Sequence, residues 1–203
     1  MKTISLILCV IFTALALAGC MGTTNSTTGT TPTPELPTVD TTIPGTSGTD
    51  SAAILEKLWG LFPEEERFAV YGGAMSHAVN DGPGDLDLKN TEELTGKYLL
   101  PEAQLSAIRD GASLVHMMNS NIFTAAAVRL GEGADVRTLA DAWHDVIRQN
   151  RWICGQPDKL MMYRIGDQIL MAFGSSDAMQ LWETRTVEAF PDGQVLYSEA
   201  VVG

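Results

Sequence analysis

The chain has 203 residues, 45% of them hydrophobic and 19% charged, with a formal net charge of −12. Such an acid excess argues against a nucleic-acid surface, which needs Lys and Arg to meet phosphates, and against a polybasic membrane patch. Its usual meaning is solubility.

Lys2 gives a short positive start, and Ile4 to Ala18 then runs almost entirely apolar. This run falls short of the roughly 20 residues that span a bilayer, and with small residues before a break it predicts a secretory signal over residues 1–19. The break reads Leu17-Ala18-Gly19-Cys20. It resembles the lipobox of bacterial lipoproteins, in which the Cys thiol is acylated and the peptide is cut before it. Cys20 is therefore the expected lipidation site and the membrane the expected partner, since two or more acyl chains hold a protein where one is marginal.

Residues 21–50 contain 12 Thr, 4 Pro and 4 Gly, with few large apolar side chains. Such a segment buries too little surface to offset its ordering entropy. As a flexible coil it spans on the order of 30 Å, a tether holding the rest of the chain off the membrane. Residues 51–203 carry 22 acids against 12 bases. Of the three Cys, Cys9 leaves with the signal and Cys20 is acylated, so Cys154 stands alone and no internal disulfide is expected. About 150 residues bury enough core without one.

Asp50 or Ser51 caps a short helix whose apolar stripe is Ile54, Leu55, Leu58 and Trp59, ended by Gly60 and Pro63. Residues 64–90, with Gly72-Gly73 and Gly82-Pro83-Gly84, read as irregular structure with a loop. Glu92 to Leu99 suggests a short helix, and Pro101 opens another that places Leu105 and Ile108 inward and closes at Gly111. Ser113 to Met118 and Ile122 to Leu130 read as strands around the turn Asn119-Ser120-Asn121, with a helix through Ala125-Ala126-Ala127 as the alternative. Asp135 caps the clearest helix, with Val136, Leu139, Ala140, Trp143, Val146 and Ile147 at helical spacing. Leu160 to Ile165 and Gln168 to Phe173 flank Gly166-Asp167, a hairpin signal. Ser175 or Ser176 caps a helix through Met179 and Trp182, and Val195 to Val202 makes a last strand. The order predicts one α+β domain: an antiparallel sheet in β-β-α-β-β-α-β order, helices packed on one face in two layers, and short helices before it.

The chain from about Ile54 to Val202 resembles the bacterial lipoproteins grouped as domain of unknown function 4358. The residues that carry the resemblance are Thr91-Glu92-Glu93-Leu94 with Tyr98, Val115-His116-Met117-Met118-Asn119 leading into Ala125 to Leu130, Ala134-Asp135-Val136, Gly166-Asp167 and Ala172-Phe173. It implies a signal, a lipid anchor and a small α+β domain, and no known activity. Trp152-Ile153-Cys154-Gly155 is a departure from that pattern.

The chemistry-bearing residues are sparse. Cys154 as a nucleophile needs a His to hold its thiolate, and nothing in the spacing of His77, His116 and His144 selects one; a buried, small apolar Cys is the plainer reading. His144 falls off the apolar stripe of its helix and reads as solvated, and His116 falls on the partly exposed face of its strand. The three His have no i, i+4 pair and no CxxC, so no zinc site is expected. Asn80 to Asp87 is acidic, but its spacing is not that of an EF-hand. No GxSxG, P-loop or GxGxxG occurs, so no cofactor is expected. Met117, Met118, Met161, Met162, Met171 and Met179 suit either core packing or a peptide groove. Trp152, after the polar helix end, and Asn119, in the turn, join Cys154 as binding candidates.

The sequence therefore points to a lipid-anchored extracytoplasmic protein that acts as a non-catalytic binding module for an envelope protein, peptide or wall component. The competing readings are a thiol-dependent or hydrolytic envelope enzyme using Cys154, and a small ligand- or metal-binding lipoprotein serving a transporter.

Overall fold

A computed structural model describes residues 50–201. The predicted signal, Cys20 and all of the predicted tether except Asp50 lie outside the described residues.

The described residues fold around one eight-stranded antiparallel sheet. Its strands are β1 (Val70–Gly72), β2 (Val79–Asn80), β3 (Gly84–Asp85), β4 (Ile108–His116), β5 (Phe123–Leu130), β6 (Lys159–Ile165), β7 (Gln168–Gly174) and β8 (Gln194–Ala200). The order is β2-β1-β4-β5-β7-β6-β8, with β3 also pairing β4. Four helices accompany it: α1 (Ser51–Gly60), α2 (Thr91–Gly96), α3 (Val136–Gln149) and α4 (Ser176–Ala189). Each starts on a side-chain cap: Asp50 accepts from the Ala53 amide, Asn90 from Glu93, Asp135 from Arg137 and Thr138, and Ser175 from Ala178.

The antiparallel α+β class agrees with the sequence pattern. The placement of every helix on one face does not. Along β5, Phe123, Ala125 and Ala127 join one apolar cluster while Ala126, Val128 and Leu130 join another. The first cluster holds α1 and α4 through Ile54, Leu55, Leu58, Met179 and Trp182. The second holds α2 and α3 through Leu94, Leu139, Ala140, Trp143 and Ile147. Strands buried on both faces read as continuous apolar runs rather than alternating ones. Leu160–Tyr163 and Ile169–Phe173 are such runs, and each is fully buried.

Residues 64–90 also depart from the irregular reading. β1 and β3 lie in tandem along the same edge of β4, Val70 opposite His116 and Gly84 opposite Ser113. A Cβ on Gly72 would sit 2.3 Å from both the Gly84 nitrogen and the Ser113 oxygen. Only glycine permits that approach. Behind it the Tyr98 hydroxyl donates to the Gly73 carbonyl at 2.9 Å, Ser113 Oγ donates to the Tyr98 oxygen at 3.0 Å, and the Gly73 amide donates to Ser113 Oγ at 2.9 Å. This closed ring satisfies every polar atom it buries, and burial pushes the Tyr98 phenol far above its ordinary range. The predicted helix after Pro101 is a 3₁₀ turn over Glu102–Ala107, and β4 begins immediately after it, carrying Gly111 in its interior.

Candidate functional site

The strand register sets the position of the loops. Phe123 and Lys159 both stand opposite Gly174, so β5 and β6 begin where β7 ends. β4 finishes at the same end, with Val115 opposite Thr124. The β4–β5 turn (117–122), the α3–β6 loop (150–158) and the start of α4 therefore meet at one end of the sheet.

The turn is built by side chains. Asn119 Oδ1 accepts from the Asn121 amide at 2.9 Å, and the Asn119 carbonyl accepts from the Ile122 amide at 3.0 Å. Thr124 Oγ1 donates to the Ser120 carbonyl. His116 Nδ1 accepts from the amides of Met118 and Asn119, each at 3.2 Å. Two backbone donors on Nδ1 leave the ring proton on Nε2, and burial holds the His116 pKa below its usual value. Asn121 then reaches across: its Nδ2 donates to the carbonyls of Ile153 and Gly155, at 2.8 and 2.5 Å. The α3–β6 loop turns there through left-handed backbone at Cys154 (φ 65°) and Gly155 (φ 106°).

These bonds fix the loops and leave apolar side chains in solvent. Met118 is 84% exposed and Ile153 80%, with Met117 and Ile122 also exposed. Ile122 also lines a cleft of about 690 Å³. Phe62, Phe68, Ile122 and Leu181 give its apolar lining, with His116, Glu66 and Asp177 also on it. Phe68 packs edge-on against Trp59 and Phe123, both with centroids at 5.3 Å, and lies 5.2 Å from the His116 ring. These aromatic contacts seat the lining on the core. Glu66 and Asp177 make no ion pair or side-chain hydrogen bond among the described residues, and no Lys or Arg lines the cleft. The neighbouring Arg67 is turned onto the carbonyls of Phe62 and Gly60. The N-terminus of α4 is already met by anions. Asp158 accepts from the Ser176 amide at 2.8 Å and Asp177 stands in the first turn.

The structure brings all three sequence-derived candidates to the loops at this end. Asn119 organises the turn, and Cys154 is exposed on the loop that Asn121 holds. The expectation of a buried Cys154 is thereby corrected: the tight left-handed loop carries it outward. Among the described residues no hydrogen bond joins Cys154 to a His. Trp152 is half-buried against the core, edge-on to Phe173 at 5.1 Å. His144, read as solvated, is instead mostly covered. It stacks on Tyr197 at 4.0 Å and bonds Glu199, which Arg148 also contacts. Met161, Met162, Met171 and Met179 are core residues, while Met117 and Met118 are not. Among the described residues no group of three or more His, Cys, Asp or Glu is placed to hold a metal. Asn121, Phe62 and Phe68 were missed by sequence reasoning. The Asn-Ser-Asn turn was visible, but its reach across 32 residues is a product of the fold.

The fold and this end together define a mixed α+β domain with a loop-built apolar surface. Comparison with protein-family models, curated proteins and solved structures found no match.

Proposed function

We propose that the chain is a lipid-anchored extracytoplasmic protein whose folded head is a non-catalytic binding module. The loop end of the sheet is its contact surface for an envelope protein or peptide. The signal pattern, the Cys20 lipobox and the Thr-rich tether support the location. One observation carries the binding reading. Met117, Met118, Ile122 and Ile153 stand in solvent on loops held by side-chain hydrogen bonds, and Ile122 also lines an apolar cleft. Exposed apolar clusters with polar rims mark interaction surfaces, whereas isolated exposed apolar residues need no explanation.

The test is photocrosslinking in producing cells from position 118, with position 132 at the far end of β5 as the control. A defined partner captured from position 118 alone is the expected result. Equal, scattered capture from both positions would overturn the binding surface. Cys20→Ala should release the protein from the membrane fraction, and its retention there would overturn the anchor.

A further inference from the structure

We infer that the cleft takes a protein segment in which an apolar side chain stands next to Lys or Arg. This rests on reading the loop end as a binding surface and adds the chemistry of the occupant. The argument is one of charge. The lining is phenyl and aliphatic at its centre, from Phe62, Phe68, Ile122 and Leu181. Its charged groups are two carboxylates, Glu66 and Asp177, both without ionic partners among the described residues. The third titratable group on the lining is His116, held neutral by its two backbone donors and by burial. Of the cations next to lining residues in the chain, Arg67 is committed to backbone carbonyls and faces the Trp59 ring, and Arg185 pairs with Glu188.

An apolar occupant alone would desolvate these carboxylates for nothing in return. An acidic occupant would add like-charge repulsion. A phosphate or a free anion is disfavoured for the same reason, and the positive end of α4 is already met by Asp158 and Asp177. An anionic lipid surface is likewise repelled by these groups and by the acid excess of residues 51–203. What remains is an amphipathic cationic segment. Its apolar side chain fills the lining and its ammonium or guanidinium meets Glu66 and Asp177.

The experiment uses the full chain in zwitterionic phospholipid nanodiscs, with a photoreactive phenylalanine in place of Ile122. Three synthetic peptides of equal length are offered: Leu/Lys, Leu/Glu and Ser/Lys. The Leu/Lys peptide should crosslink saturably and the other two should not. Combining Glu66→Gln with Asp177→Asn should weaken Leu/Lys crosslinking about tenfold and flatten its salt dependence, two exposed charge contacts being removed. Should the double variant fold poorly, Glu66→Gln alone, on an exposed 3₁₀ turn, should give a smaller loss in the same direction. Equal crosslinking of the Leu/Glu peptide, indifference to the charge variants, or crosslinks to lipid alone would each overturn the inference. Capture of a partner from position 118 in cells together with charge-indifferent peptides would sink this inference and leave the binding surface standing.

Discussion

Asn121 Nδ2 donates to the Ile153 carbonyl at 2.8 Å, so one amide side chain joins the β4–β5 turn to the α3–β6 loop. Its second bond, to the Gly155 carbonyl, fixes the left-handed residues Cys154 and Gly155 from the same side. Asn121→Ala removes both bonds without touching the core. A loss of about 1–2 kcal/mol is expected for two net hydrogen bonds in a partly exposed site. Urea denaturation measures it. Faster amide exchange should be confined to residues 117–122 and 150–158. A variant as stable as the parent, with unchanged exchange there, would show that packing alone holds the loops.

His116 makes the same turn sensitive to acid. Its Nδ1 accepts two amide protons, which it does only when unprotonated there. Burial lowers the folded pKa below the ordinary value of 6.5. The sign follows: the neutral ring is favoured by folding, so its contribution is fully present above pH 6.5 and is lost as pH falls through the lower, folded value. NMR titration of the ring should give a pKa under 6.5 and shift the Met118 and Asn119 amides with it. His116→Gln should flatten that part of the stability profile. A ring that titrates at or above 6.5 would contradict the assignment.

How much of this was legible in the sequence depended on the range of the interaction involved. The Asp50 and Asp135 caps, the α3 stripe and the Gly166-Asp167 hairpin are set by residues within one or two turns, and the structure has each of them. The two-sided burial is also written there, in the unbroken runs Leu160–Tyr163 and Ile169–Phe173. β1 to β3 were illegible because their glycines answer to backbone elsewhere, Gly72 to Gly84 and Ser113. The cleft was illegible for the same reason. Phe62, Phe68, His116 and Leu181 come from four different elements or loops and meet only through the sheet register.

That distinction predicts opposite effects for two glycines. Gly72→Ala drives a Cβ into backbone atoms at 2.3 Å, which no rotamer change relieves. A loss of about 3 kcal/mol or more is expected, at the upper end of overpacking costs. Gly60, the last residue of α1, has open space around a built Cβ. Gly60→Ala should raise stability by about 0.5 kcal/mol through the lower entropy of the unfolded chain. Thermal melts of both variants check the pair, and equal melting temperatures would refute the close-approach account.

Cys154 supplies the most direct test between a binding module and a thiol enzyme. A catalytic thiol needs a base or a cation at hand to hold its thiolate, and labels faster than an ordinary Cys at neutral pH. Cys154 is exposed, and among the described residues no His hydrogen-bonds to it. Exposure alone brings a labelling rate near that of the unfolded chain, with no excess over it. The measurement compares a neutral thiol reagent on the folded chain and on the chain in urea, with Cys154→Ser subtracting any signal from Cys9 or Cys20. A rate within about threefold of the unfolded control is expected, since an exposed thiol with no His bonded to it has access to the reagent and no activating partner. A folded rate tenfold or more above that control would mean an activated thiolate on the α3–β6 loop, and the non-catalytic reading would then fail even if the cleft binds its segment.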